Sequence, residues 1–203
     1  FEKLGFGTET GTDLPNEVAG DIRNIQTSPR DIEYDTASFG QGMAESPMQM
    51  VKALGALANH GSVVTPHLVR AKRLENGIVK PLSWGKEERV FSEVATEQTT
   101  RMLVEVVDKK LANGMVKIPE MSVAAKTGTA QIAGPGGKYA KGLYFHSFFG
   151  YFPAYDAKYI ILLYTKQPQG VQYASETLTE PFMEMTHFLI NYYAIPPDRA
   201  PAS

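Results

Sequence analysis

Cysteine is absent from all 203 residues. That excludes disulfides and thiolate metal sites, but it leaves the compartment open, since a cysteine-free chain suits either side of a membrane. There is no apolar run near the roughly 20 residues needed to span a bilayer. Charge of one sign is also lacking. The net charge of −2 offers no basic stripe to neutralise phosphates, so nucleic acid is not expected as a partner. The histidines, His60, His67, His146 and His187, are scattered without ligand spacing, so no metal and no cofactor are expected. The chain opens at Phe1-Glu2-Lys3-Leu4-Gly5, which carries neither an initiator methionine nor a charged-then-apolar signal pattern. The chain is therefore expected to be the later portion of a longer protein, with any anchor or partner domain upstream. What remains is ordinary globular composition, 43% hydrophobic and 21% charged, in a chain long enough to bury a core.

Residues 1–37 are punctuated by Gly5, Gly7, Gly11, Pro15, Gly20 and Pro29 and read as loop. At Ser46 the pattern changes. Ser46 can cap, Pro47 suits the first helical position, and Met48, Val51, Leu54, Leu57 and Ala58 form a helical stripe ending near Gly61. Ser62–Thr65 and His67–Arg70 look extended, interrupted by Pro66. Asn76-Gly77 between apolar flanks signals a hairpin. A second helix is expected from Ser92 or Thr96, burying Met102, Leu103, Val106, Val107 and Leu111 and ending at Asn113-Gly114. Strands follow around Lys126, from Leu143 to Tyr151, and over Lys158–Thr165, the last hydrophobic enough to read as central. Residues 175–193 close with a helix whose stripe is Leu178, Phe182, Met185, Leu189 and Tyr192. Three late strands joined by short turns imply an antiparallel sheet with helices against it, an α+β fold.

The stretch with the most chemistry is Val123-Ala124-Ala125-Lys126-Thr127-Gly128-Thr129-Ala130-Gln131-Ile132. A lysine inside an apolar strand costs free energy unless its charge has a purpose or an exit to water. Lys126 offers attraction to an anion, Thr127 and Thr129 offer hydroxyl donors, and Gly128 lets a ligand approach bare backbone. A phosphate-binding loop is the obvious competitor. It fails because Ala125 precedes the lysine and no glycine stands five positions before Lys126.

Other segments line up around this strand. Gly5-Phe6-Gly7, then Thr10-Gly11-Thr12-Asp13-Leu14-Pro15-Asn16-Glu17, then Ala37-Ser38-Phe39-Gly40-Gln41-Gly42 and Ser46-Pro47-Met48-Gln49 come first. Asn59-His60-Gly61, Pro66-His67-Leu68-Val69 and Ala125–Ala130 follow. In order and approximate spacing this set resembles the transpeptidase domain of class B penicillin-binding proteins, from Phe1 to about Tyr193. The Ser-Phe-Gly-Gln-Gly form looks most like the cell-division branch. Of the family's motif set, Ser-x-x-Lys, Ser-Asp-Asn and Lys-Thr-Gly, only the third is present.

The resemblance implies a β-lactamase/transpeptidase-like α+β fold, incomplete here, with residues 1–203 forming the C-terminal portion of a single transpeptidase domain. It implies a serine acyl-transferase that cross-links peptidoglycan stem peptides ending in D-Ala-D-Ala and is acylated by β-lactams. Lys126 and the hydroxyls of Thr127 and Thr129 would hold the terminal carboxylate, beside Gly128, and the Thr129 backbone N–H would be one oxyanion donor. The implied partners are those peptides, β-lactams, the upstream half of the same domain and divisome proteins. The implied location is the extracytoplasmic side of the bacterial membrane, anchored by a segment outside this chain.

The departures are as informative. Ser83-Trp84-Gly85-Lys86 matches Ser-x-x-Lys in letters, but the charged run Lys86-Glu87-Glu88-Arg89 describes an exposed turn. The family also places its motif before the Gly-Phe-Gly region. No Ser-x-Asn or Tyr-x-Asn occurs. Nucleophile, base and middle motif are therefore expected upstream of Phe1, and the chain alone is expected to be inactive. A non-catalytic receptor of the same fold is the alternative. A serine β-lactamase ranks last, for want of a Glu-x-x-Leu-Asn signature. Three features have bland readings: Gly40-Gln41-Gly42 as a turn before a helix, His146 as a satisfied structural histidine, and Gly134–Lys138 as an exposed hairpin tip. Tyr144, Phe145, Phe148, Phe149 and Phe152 are expected to line core or groove.

Overall fold

The computed structural model describes residues 1–27, 30–134 and 139–200. It divides into two compact units, Phe1–Glu93 and Val94–Ser203.

In the first unit a 3₁₀ turn over Glu2–Leu4 is followed by short helices α1 (Arg23–Thr27) and α2 (Asp31–Ala37). Both fall where the sequence reads as loop. They are too short to hold their shape by local preference and depend on packing. Helix α3 (Pro47–Ala58) starts as expected: Ser46 caps it, Gln49 completes a capping box, and Pro47 opens the first turn. Its fully buried face is Gln49, Ala53 and Ala56, while Leu54 and Leu57 are only half-buried. Alanines let the loops approach closely. Phe6, Ile22 and Ala53 form the small core, with Leu4, Ile25, Met43 and Met50 around it. Gln49 organises that approach through its side-chain amide, which donates to the carbonyls of Thr8 (2.8 Å), Ala19 (2.7 Å) and Gly5 (3.3 Å).

Strand β1 (Ser62–Val63) pairs antiparallel with β4 (Glu88–Arg89), and β2 (Ala71–Arg73) with β3 (Val79–Pro81). The Asn76-Gly77 turn joins β2 to β3, with Gly77 at φ +83°. His67–Arg70 is not a strand. Asp13 takes the Leu68 N–H (2.9 Å) and Val69 N–H (2.7 Å), and the Trp84 indole donates to the Val69 carbonyl. Those backbone groups are therefore unavailable to a ladder. The Leu68 N–H, first among the causes, holds the Asp13 carboxyl below its usual range.

The second unit begins with α4 (Glu93–Glu105), a π turn over Val106–Lys110 and a 3₁₀ turn over Leu111–Gly114. Its buried positions are Thr96, Thr100, Val104, Val107 and Leu111. Met102, expected inside, is 61% exposed. Two buried threonines occupy the face that an apolar count assigns elsewhere. Thr100 earns its place by hydrogen bonding the Tyr151 hydroxyl at 2.7 Å, and burial pushes that phenol up.

The sheet of this unit runs β5-β6-β7, all antiparallel: β5 (Ala124–Ala133), β6 (Tyr139–Phe152) and β7 (Tyr159–Lys166). The antiparallel sheet with helices against it is as expected, but β6 is central and β7 lies at an edge. The expected hairpin tip at 135–138 lies outside the described residues. Helix α5 (Ala174–Tyr192) covers one face. Its Leu178, Phe182 and Met183 join Val107, Ala125, Phe148, Phe152 and Ile161 in one core. Phe182 stacks on Phe148 with centroids 4.3 Å apart. Gly150 makes that contact possible, because a Cβ there would lie 2.8 Å from the Ala125 Cβ and run into the Phe182 ring. Met185 and Tyr192, expected in the buried stripe, are exposed instead, their places taken by Thr179, Met183 and Thr186.

Candidate functional site

Strand β5 enters the site from the interior. Val123, Ala124 and Ala125 are essentially without solvent contact, so the strand is rigidly seated where Lys126 begins. Side chains alternate across a strand. Ala125, Thr127 and Thr129 therefore share the α5 face, while Lys126, Gly128 and Ala130 share the other. Lys126 is exposed and its ammonium donates to the Thr127 carbonyl at 2.8 Å. The cation read as lying within an apolar strand thus has its exit to water, and no burial penalty is incurred. Ammonium and hydroxyls lie on opposite faces, and what they share is the strand's edge.

That edge has a specific property. Among the described residues β5 has β6 as a strand neighbour on one side only. Alternate backbone N–H and C=O groups of an edge strand point away from its partner and stay free to bind something else. Cross-strand pairing sets Lys126 opposite Phe149, Gly128 opposite Ser147 and Thr129 opposite His146. A Cβ on Gly128 would meet the Ser147 Oγ at 2.6 Å. Glycine at this position thus leaves the backbone bare and makes room for the serine beside it.

Thr129 does more than expected. Exposed on the strand, its Oγ1 accepts the N–H of Ala174, the first residue of α5, at 3.0 Å. Sequence pattern does not reveal this bond, because it joins residues 45 apart. His146 follows its bland reading: fully buried, it has one ring nitrogen 2.9 Å from the Gln172 carbonyl and the other 2.9 Å from the Thr177 hydroxyl.

The remaining candidates do not gather here. Ser83 and Lys86 lie in an exposed stretch without helix, beside Trp84, which stacks on His67. This is the turn expected and not the start of a buried helix. Gly40 and Gly42 adopt positive φ in a turn leaving α2, where Gly40 N–H bonds the Ala37 carbonyl. Phe148, Phe149 and Phe152 are core, with Tyr144 and Phe145 half-buried. No group of three or more metal-type side chains occurs among the described residues, and no described helix is long and apolar enough to cross a membrane.

Comparison with known proteins gives one consistent answer. The family model described as penicillin binding protein transpeptidase domain matches residues 1–186. The chain is 29% identical over 187 residues to stage V sporulation protein D of Bacillus subtilis, covering 90% of this chain and 28% of that protein. It is 26% identical over 206 residues to the probable peptidoglycan D,D-transpeptidase PenA of Neisseria gonorrhoeae, covering 98% and 32%. Its fold matches the crystal structure of penicillin-binding protein 3 from Mycobacterium tuberculosis complexed with ampicillin. The TM-score is 0.86 at 26% identity, over 100% of this chain and 46% of that one. The chain thus spans about a third of the length of the curated relatives it matches, between 28% and 36% for the first three.

Proposed function

Because the chain belongs to the transpeptidase domain family of class B penicillin-binding proteins, we propose that it supplies the substrate-holding strand of a peptidoglycan D,D-transpeptidase. The reaction exchanges one amide for another. A serine oxygen attacks the penultimate D-Ala carbonyl, the terminal D-Ala leaves with a proton on its amine, and the acyl-serine ester is taken by an amine of a second stem peptide. A β-lactam enters by the same attack, its ring amide opening in place of the peptide bond.

In this reading Lys126 and the hydroxyls of Thr127 and Thr129 hold the carboxylate of the terminal D-Ala or of the β-lactam, and Gly128 admits the ligand to the backbone. The Thr129 N–H is one of two donors to the tetrahedral oxyanion. A donor fixed on a seated strand needs no reorganisation as charge develops, and removing one such donor costs roughly 10²–10³ in rate. The nucleophile, its lysine base and the middle motif come from a segment preceding Phe1, so residues 1–203 are the later portion of one domain and are inactive alone. The peptide substrate sets the location outside the cytoplasmic membrane, on a membrane-anchored protein. The resemblance to the division branch points to divisome partners.

The observation that carries the reading is the Lys126–Thr129 segment itself: an exposed cation, two hydroxyls and a bare glycine on a strand anchored at its entry and open on one side. Labelling the full-length protein with a fluorescent penicillin tests it. Covalent labelling that a Lys126→Ala variant loses supports the reading. Labelling indifferent to Lys126 refutes the role of the strand. Binding of penicillin without a covalent adduct would favour a receptor of the same fold.

A further inference from the structure

A buried imidazole costs free energy unless both nitrogens find partners, and His146 is fully buried in β6. Its partners are not scattered. A carbonyl can only accept, so Nε2–H donates to the Gln172 carbonyl at 2.9 Å. Nδ1 lies 2.9 Å from the Thr177 hydroxyl, which itself donates to the Ala174 carbonyl at 3.3 Å. Gln172 precedes α5 and Thr177 lies in its first turn. The ring therefore grips the chain on both sides of Ala174.

Ala174 is the residue whose N–H reaches Thr129 Oγ1. As an N-terminal helix donor it has no intrahelical acceptor. Thr129 in turn is the cross-strand partner of His146. Five positions thus form a closed circuit: Thr129 to Ala174, Ala174 along the chain to Gln172 and Thr177, both to His146, and His146 across the ladder to Thr129. The circuit has a chemical consequence. Accepting the Ala174 N–H occupies a lone pair of the Thr129 oxygen and sets the hydroxyl against the positive end of α5. The proton of that hydroxyl, on an exposed residue, is left to donate outward.

We propose that His146 is a positioning residue for recognition of the substrate carboxylate. It clamps residues 172 and 177 so that the Ala174 N–H orients the Thr129 hydroxyl, with its proton directed at the anion. This rests on the reading of Thr129 as a carboxylate donor.

The test uses the full-length protein and two probes, benzylpenicillin and its methyl ester, in which the carboxylate is neutralised. His146→Phe keeps a ring in the core and removes both ties. It is expected to lower the second-order acylation constant for benzylpenicillin about tenfold, the weakening of one hydrogen bond to a charged group, and to leave the constant for the ester unchanged. His146→Gln, which retains one donor and one acceptor, should recover part of the loss. In a Thr129→Val background His146→Phe should have no further effect. Equal losses for both probes, or losses that multiply in the double variant, overturn the inference while leaving the functional reading intact. A wild-type protein that benzylpenicillin does not acylate overturns the functional reading and this inference with it. Should His146→Phe not fold, Thr177→Val removes one tie with the ring in place and carries the same comparison.

Discussion

Gly128 and Ser147 face each other across the β5–β6 pair so closely that a Cβ on the glycine would stand 2.6 Å from the serine Oγ. The clash is with the tip of a small side chain, so Gly128→Ala is expected to fold, at a cost of about 1–2 kcal/mol. The Ser147 Cβ itself stands a comfortable 4.0 Å away. Ser147→Ala in the same protein should therefore recover most of that loss. Chemical unfolding of the two single variants and the double variant checks this, and strict additivity would contradict it. Gly128→Ala is also expected to slow acylation by penicillin, and that loss should persist in the double variant, because the added methyl still stands on the backbone that the ligand is proposed to approach.

The C-terminal segment is tied to the second unit by a forked pair. Arg199 meets Asp108 at 2.9 Å, with side chains 19% and 15% exposed, and also donates to the Ile118 carbonyl. Replacing Arg199 with Met leaves Asp108 half-stranded and should destabilise by about 2 kcal/mol, less than a fully buried pair because some water still reaches it. Asp108→Asn added to Arg199→Met should restore part of the loss. A single variant with unchanged unfolding would show that the pair contributes nothing.

Glu45 gives the first unit a pH signature. It lines an apolar cavity of about 300 Å³ with Phe6, Met43, Met50, Leu54 and Phe91, and burial pushes its carboxyl above the ordinary value of 4.5. A raised carboxyl makes ionisation oppose folding. The penalty is absent below the ordinary value and grows as pH rises through the raised one. Glu45→Gln is thus expected to be more stable than wild type at pH 7, with the difference closing as pH falls toward about 4. Unfolding curves across that range decide it, and a pH-independent difference would contradict the assignment.

Legibility in the sequence followed the range of the forces involved. Helix α3 could be read because Ser46 and Pro47 act within one turn, and the β2–β3 hairpin because Asn76-Gly77 sets its own geometry. That Lys126–Thr129 lies on a strand was legible from the small and β-branched residues around it. Distant partners were not. Leu68 and Val69 look extended until Asp13, 55 and 56 positions earlier, takes their N–H groups. Thr96, Thr100, Thr179 and Thr186 are buried where apolar counting favoured Met102, Met185 and Tyr192. Each of Thr100, Thr179 and Thr186 satisfies its hydroxyl locally or across the fold. The bond between Thr129 and Ala174 belongs to the same class, and it changes the meaning of Thr129 from a surface hydroxyl to an oriented one.

Lys126 should matter through charge. Lys126→Ala is expected to lower acylation by benzylpenicillin about 100-fold, the scale for removing one partner of a charged pair. Lys126→Arg should retain part of the rate, and the methyl ester should be nearly indifferent to either change. Equal effects on acid and ester would place Lys126 in a structural role.

The most direct measurement is mass spectrometry of the full-length protein after reaction with benzylpenicillin, with the acylated serine mapped by peptide. The account predicts a single adduct on a serine outside these 203 residues, formed by the wild type and strongly slowed in Lys126→Ala. An adduct on Ser83, or one whose rate ignores Lys126, would contradict it.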